Sequence, residues 1–303
     1  MNKRTSETLW ISFFIAPALI IVCVIIILPL FMSLFNSLFL WDQLIRQNFV
    51  GFQNFKKIFF TEPYHTRFAN AMGNNLRWLV LTMIVQNVGG LFIGYFLSRR
   101  IWGHEFYKRI IFIPVLFSIV AVSFLWSLYL RPNGLVNAFL KLIGLPQFMR
   151  PWLGDESIAT YSIIFVNIWR WIGFPSLVFL AAIDNVPMDC LEAACLDGAS
   201  DTRVFFKVIL PLIVPSIVII TVLTIIGSLN VFEQIYTMAG LDGSPNFSTD
   251  TIGTLFYRTA FGSVDSGKPE IGIGSAIGVI IYLLTFVVSL ISIVTLGKKE
   301  VEL

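Results

Sequence analysis

Apolar residues run in long unbroken stretches along this chain, separated by short polar segments. No charged residue occurs in 8–41, 78–98, 110–130, 208–232 or 271–297, and 157–183 contains only Arg170. A helix needs about 20 apolar residues to cross the hydrocarbon core of a bilayer, so the pattern predicts six transmembrane helices. An arginine at mid-helix costs roughly 3 kcal/mol on the insertion scale, and each Leu, Ile, Val or Phe returns about 0.3–0.6. The aliphatic residues and phenylalanines between Ile158 and Ile183 outweigh Arg170 on that scale. Pro17 and Pro29 predict kinks in the first helix, tolerated in a membrane. The expected fold class is all-α, a polytopic membrane protein.

Composition agrees. Of 303 residues, 56% are apolar and 13% charged, against roughly 25% charged in soluble domains. The first apolar run is far longer than the roughly 7–15 residues of a signal peptide, so it reads as a retained helix. Lys and Arg are about twice as dense in 1–7, 99–109, 184–207 and 298–303 as in 42–77, 131–156 and 233–270. That bias places the first set, with both termini, in the cytoplasm. The net charge of +3 averages over two aqueous compartments and decides little. Cys23, Cys190 and Cys195 form no disulfide framework, one lying mid-membrane and two on the reducing side. The expected division is 1–69 (leading helix and outer loop), 70–297 (a five-helix core) and the tail 298–303. Outer loop 131–156 is expected to carry surface helices on the rim, and 239–250 is rich in turn residues.

One cytoplasmic loop is unlike the others. Residues 192–215 read EAACLDGASDTRVFFKVILPLIVP. Pro187 suits the first position of a helix, with Asn185 near its cap. The helix is expected from Met188 to about Asp197, closing at Gly198, where a left-handed conformation is cheap. Asp189 and Glu192 sit one turn apart on its exposed face, and Ala193 and Ala194 leave room for another backbone. Ser200 or Asp201 is expected to cap a second helix through Val208, with Pro211 opening the next span. A helix lying on a membrane surface wants Lys and Arg on its polar face. Here 184–202 holds Asp184, Asp189, Glu192, Asp197 and Asp201 and no basic residue, which favours docking to a protein.

The spacing E-A-A, three residues, Gly, nine residues, then Val208-x-Leu210-Pro211 resembles the signature of membrane subunits of binding-protein-dependent ABC importers. Val208 stands where isoleucine is usual. FIPVLFSIVAVSFLWSLYL at 112–130, NIWRWIGFPSLVFLAAIDNVP at 167–187 and FEQIYTMAGLDGSPNFSTDTIGTLFYRTAF at 232–261 resemble the sugar-transporting branch. The finish GKKEVEL resembles the first of its paired permeases, the maltose or glycerol-phosphate type. The resemblance implies a type I ABC importer permease fold in a bacterial cell membrane. It makes 185–211 a coupling loop in which Glu192, Ala193, Ala194 and Gly198, flanked by Asp189 and Asp197, dock on a cytoplasmic ATPase. It also implies a second homologous permease, two ATPase subunits and an extracytoplasmic solute-binding protein, in membrane lipid and without nucleic acid. ATP and magnesium would belong to the ATPase. This chain would carry no cofactor, no metal site and no catalytic residue of its own.

Polar residues inside the spans are expensive and mark a bundle interior or a pathway. Gly227, Asn230, Glu233, Gln234 and Thr237 are predicted on one face of the fifth helix, and Asn167, Arg170, Trp171 and Phe174 form a stripe on the fourth. Amides and aromatic rings are what sugar hydroxyls and an apolar sugar face require. Asn167, Arg170, Trp171, Asn230, Glu233 and Gln234 are therefore candidates for a substrate pathway, although interhelical contact also accounts for such residues. Gly89, Gly90 and Gly94, and Gly274 with Gly278, offer close helix packing. The run GSVDSGKP at 262–269 has Pro269 where a phosphate-binding loop needs Ser or Thr, and is a coincidence. The expected function is the translocation half of an ATP-driven importer for a sugar or oligosaccharide. Glycerol phosphate is the alternative cargo. An ion-driven transporter would show repeat symmetry and mid-membrane ion sites, which are not evident.

Overall fold

The computed structural model describes residues 3–262 and 267–297, with side chains from Phe13 to Val294. The tail 298–303 and part of the 262–269 run lie outside the described residues. In chain order the elements are α1 (Phe13–Asn36), β1 (Phe39–Asp42), β2 (Ile45–Phe49), α2 (Gln53–Phe60), α3 (Tyr64–Ser98), α4 (His104–Leu116) and α5 (Ile119–Tyr129). There follow α6 (Leu135–Leu142), α7 (Ala159–Trp171), α8 (Gly173–Asp184), α9 (Met188–Leu196), α10 (Asp201–Leu212), α11 (Val214–Leu229), α12 (Glu233–Ala239), α13 (Ile252–Phe261) and α14 (Ile271–Gly297).

Six apolar segments stand where the charge-free runs predict them, and three are continuous: α1, α3 and α14. The other three are broken pairs. α4 and α5 meet at 96°, α7 and α8 at 40°, α10 and α11 at 69°. Each break has a local cause. Pro114 sits in the last turn of α4, Gly173 opens α8, and Pro215 occupies the first turn of α11, all sites where helices stop or restart. α1 does not break at its prolines. A widened turn at Cys23–Ile27 precedes Pro29, and a similar turn at Phe205–Ile209 precedes Pro211. Such turns take in one extra residue and so absorb the amide hydrogen bond that proline cannot make. α3 begins at Tyr64 rather than Trp78, so the end of the predicted outer loop is helical.

The chain divides into two compact units, and residue 70 falls inside α3. The first unit comprises 1–65 with 256–282. β1 and β2 pair antiparallel within it. Buried Asn54 donates to the carbonyls of Ser37 at 2.8 Å and Phe39 at 2.9 Å, fixing the start of the hairpin. Gly274 packs against the backbone of Ala260, where any Cβ would overlap it. α1 turns apolar side chains outward along its whole length, as a helix meeting lipid does.

The second unit comprises 66–255 with 283–303. Its main core joins Trp78, Val122, Ile163, Ile164, Val166, Val231 and Ile235. Gly94 lets α3 approach the backbone of α8 at Ser176 and Leu180, the close contact expected of it.

Candidate functional site

The acidic loop folds as an elbow of two helices. Pro187 occupies the N-cap of α9 rather than its first turn, and Asn185 caps the end of α8 instead. Gly198 adopts φ +73°. Ala199 N–H donates to Ala194 O at 3.0 Å and Gly198 N–H to Cys195 O at 3.0 Å, the paired bonds of a Schellman closure. The chain then turns at Ser200 into α10. Neither Ser200 nor Asp201 caps that helix with its side chain. Asp201 bonds Arg99 at the end of α3 instead, at 2.7 Å. This hydrogen bond and the guanidinium charge hold the exposed Asp201 carboxyl below the usual carboxylate range.

One face of α9 is free. Met188, Glu192 and Leu196, at i, i+4 and i+8, are exposed, Leu196 to 89%. Asp189 and Ala193 beside them are exposed too, as is Asp197, while Ala194 is half-buried. The inner face carries Leu191, which packs on a cluster of Ile183, Phe205, Ile209 and Ile213. Leu91 and Tyr95 of α3 join that cluster, and Phe205 lies 4.5 Å from the Tyr95 ring between centroids. The elbow is thus bonded to α3 and α8 through apolar packing. α9 packs on α10 through Leu191 and the Phe205 cluster, and α10 leads through its bend into α11.

Above this lies a cavity of about 610 Å³, within the range of small-molecule sites. Asn167, Arg170, Trp171 and Phe174 line one side, and Gly227, Asn230, Glu233 and Gln234 another. All six predicted pathway residues meet there; Thr237 is not on the wall. The single helical face predicted for the fifth span does not exist. α11 ends at Leu229 and α12 starts at Glu233, so Asn230 lies in a break. Irregular backbone at membrane depth is tolerated where protein or a cavity satisfies it. Asn75 Nδ2 donates to Ser228 O at 2.7 Å and to Leu229 O at 3.3 Å, and Thr251 Oγ1 to Val231 O at 2.8 Å.

α3 supplies a third wall that the charge-free runs do not single out: Trp78, Thr82 and Gln86. Their i, i+4, i+8 spacing was the available signal. Asn167 Nδ2 reaches Gln86 Oε1 at 3.5 Å, and Asn87 Nδ2 donates to Thr224 Oγ1 at 2.9 Å. Trp171 and Phe174 stack at 5.3 Å between centroids. Gln234 is 2% exposed and donates to Ile163 O at 3.1 Å, leaving Oε1 without a protein partner.

Arg170 has a structural task. Its Nε and Nη2 both donate to Phe117 O, at 3.3 and 3.2 Å, the carbonyl at the right-angled α4–α5 break. Its guanidinium also lies 5.3 Å from the Trp171 ring. A hydrogen bond to a charged group contributes about 1.5–3 kcal/mol. Arg170→Ala is expected to lower the thermal midpoint of the detergent-purified protein, with Arg170→Lys intermediate. Equal midpoints for all three proteins would overturn the strut role.

The sequence matches a family model described as "Binding-protein-dependent transport system inner membrane component" over residues 86–299. It is 31% identical to a probable ABC transporter permease protein, YurN, of Bacillus subtilis, over 95% of this chain and 96% of that one. It is 30% identical to the multiple sugar-binding transport system permease protein MsmF of Streptococcus mutans, over 99% of both. Among solved structures, a bacterial ABC transporter involved in import of the acidic polysaccharide alginate superposes with TM-score 0.79 at 23% identity, covering 98% of this chain and 99% of that one. The last likeness speaks to the fold.

Proposed function

The chain belongs to the family of inner membrane components of binding-protein-dependent transport systems, and from that premise we propose that it forms half of the translocation pathway of an ATP-driven importer for a sugar or oligosaccharide. The cavity wall carries the cargo reading. Amides at Gln86, Asn167 and Asn230 share the cavity wall with the stacked Trp171–Phe174 pair, a pairing of hydrogen-bond groups and apolar rings that suits a sugar. Relatives named for sugar transport support it.

Family membership supports a set of partners. A second, homologous permease completes the pathway, and an ATPase subunit docks on the free face of α9 in each half. A solute-binding protein delivers cargo from outside, with both termini of this chain inside. ATP hydrolysis resides in the docked subunits, which also hold ATP and magnesium; this chain transmits. Closure of the ATPase pair moves α9, α10 follows through the Leu191 and Phe205 contacts, and α11 and α12 shift the cavity wall. ATP drives this only if the outward-open state binds the closed ATPase pair more tightly.

Asn167→Ala, Trp171→Ala and Asn230→Ala test the cargo site. Each is expected to raise the half-saturating cargo concentration about tenfold, the equivalent of 1.4 kcal/mol, at unchanged membrane levels. Unchanged uptake in all three would end this assignment. Purification of the complex should bring down a second six-span chain, an ATPase and a carbohydrate-binding protein.

A further inference from the structure

Segment 131–150 folds into a small rigid wedge beside the end of α5. Gly134 packs so closely on the carbonyls of Leu128 and Tyr129 that a Cβ there would overlap both, which ties the start of α6 to the end of that apolar helix. Asn137, 2% exposed, holds the wedge from inside. Its Nδ2 donates to Pro132 O at 3.0 Å and Arg150 O at 2.9 Å, and its Oδ1 accepts from Arg150 N–H at 3.3 Å and Trp152 Nε1–H at 2.9 Å. Val136 and Trp152 pack on the main core.

The opposite face is apolar and uncovered. Leu135, Phe139 and Leu142, at i, i+4 and i+7, are 62%, 57% and 82% exposed, and Ile143 and Phe148 extend the patch. A contiguous apolar patch on a rigid element marks an interaction surface. The charges around it share one sign. Arg131, Lys141 and Arg150 are all exposed, and 131–150 contains no Asp or Glu.

We propose that α6 and the turn after it lie in the membrane interface, with Leu135, Phe139 and Leu142 in the acyl boundary and Arg131, Lys141 and Arg150 on anionic phospholipid headgroups. Apolar face, basic flanks and a tether to the end of an apolar helix are the attributes of an interfacial helix. The basic set points to a lipid surface, since Lys and Arg flanking an apolar helical face are the pattern of a helix lying on anionic headgroups. The charge of this wedge is opposite to that of the acidic α9, which is built for a protein.

Spin labels on the full-length chain in nanodiscs test this. Cys23, Cys190 and Cys195 are replaced by serine, and single labels are introduced by Leu135→Cys, Phe139→Cys, Leu142→Cys and, as a water-facing reference in the turn, Asn133→Cys. Collisions with oxygen should exceed those with a water-soluble nickel chelate at 135, 139 and 142, and the order should reverse at 133. Nickel access equal to that at 133, or dipolar broadening from a second copy seated on Phe139→Cys, would overturn the placement. In mixed phosphatidylglycerol and phosphatidylcholine, a fluorophore attached in place of the spin label at Phe139→Cys is quenched by brominated phosphatidylglycerol, and that quenching reads the local lipid. Each basic residue near an anionic surface corresponds to roughly fivefold enrichment. The triple variant Arg131→Gln, Lys141→Gln, Arg150→Gln should bring quenching down to the bulk lipid ratio, and quenching unchanged from the parent would overturn the headgroup contact.

Discussion

Ala193→Arg should abolish ATP-driven uptake while leaving the chain in the membrane at its normal level. Ala193 is exposed on the free face of α9 between Asp189 and Asp197, and the cluster beneath that helix is reached by Leu191, on another side. An arginine therefore meets no neighbour within this chain and the fold should survive. Across a docked interface the same side chain would hold two backbones apart. Interface hot spots carry about 2 kcal/mol or more, and a clash of that size would lower both co-purified ATPase and uptake at least roughly thirtyfold. Asp189→Asn, which keeps the shape, should lose far less. Uptake at the parent rate in Ala193→Arg would remove α9 as the docking element.

Gly173→Ala and Gly227→Ala should give opposite outcomes although the change is the same methyl group. A Cβ at Gly173 would overlap the backbone carbonyl of Ile111 and crowd Phe112. Those are main-chain atoms of α4, so no rotamer change relieves them and the helices must separate. Overpacking of this kind costs about 1–3 kcal/mol, and the contact lies beside the break that Arg170 fastens. Gly173→Ala should lower the thermal midpoint and the yield of folded protein, and Gly173→Val should do so further. At Gly227 a Cβ meets nothing within 4 Å, and replacing helical glycine by alanine favours the helix by about 1 kcal/mol. Gly227→Ala should therefore be neutral or stabilising. If both variants behave alike, the α4–α8 approach is not as drawn.

The six apolar segments and the elbow were legible because each rests on a local rule. Charge-free length marks a span, and Gly198 after an acidic, alanine-bearing turn marks a helix end. What was not legible depends on distant partners. Asn74 and Asn75 read as loop residues, yet both are fully buried in α3, where they bind carbonyls of 248–250 and of the α11 end. Nothing near them in sequence announces those acceptors. The break at 230–232 was hidden for the same reason, because Asn75 and Thr251 compensate it from other elements. Arg170 was placed correctly in a polar stripe, but its bond to Phe117 O depends on a bend that Pro114 only hints at. Trp78, Thr82 and Gln86 were missed although their spacing was available, since two of the three are uncharged polar residues in a run otherwise read as a plain span.

The widened turn at Phe205–Ile209 changes how residues along α10 ought to be grouped. One additional residue in a helix rotates everything downstream by about 100°. Positions before Phe205 and after Ile209 that share a sequence spacing of three or four therefore point in different directions. A substitution survey from Asp201 to Leu212 should show sensitive sites in two phases, with the shift falling at the turn. Deleting one residue there would restore a regular helix, turn Pro211 about the α10 axis and swing α11, which leaves α10 at 69°, a larger perturbation than any side-chain replacement in the segment.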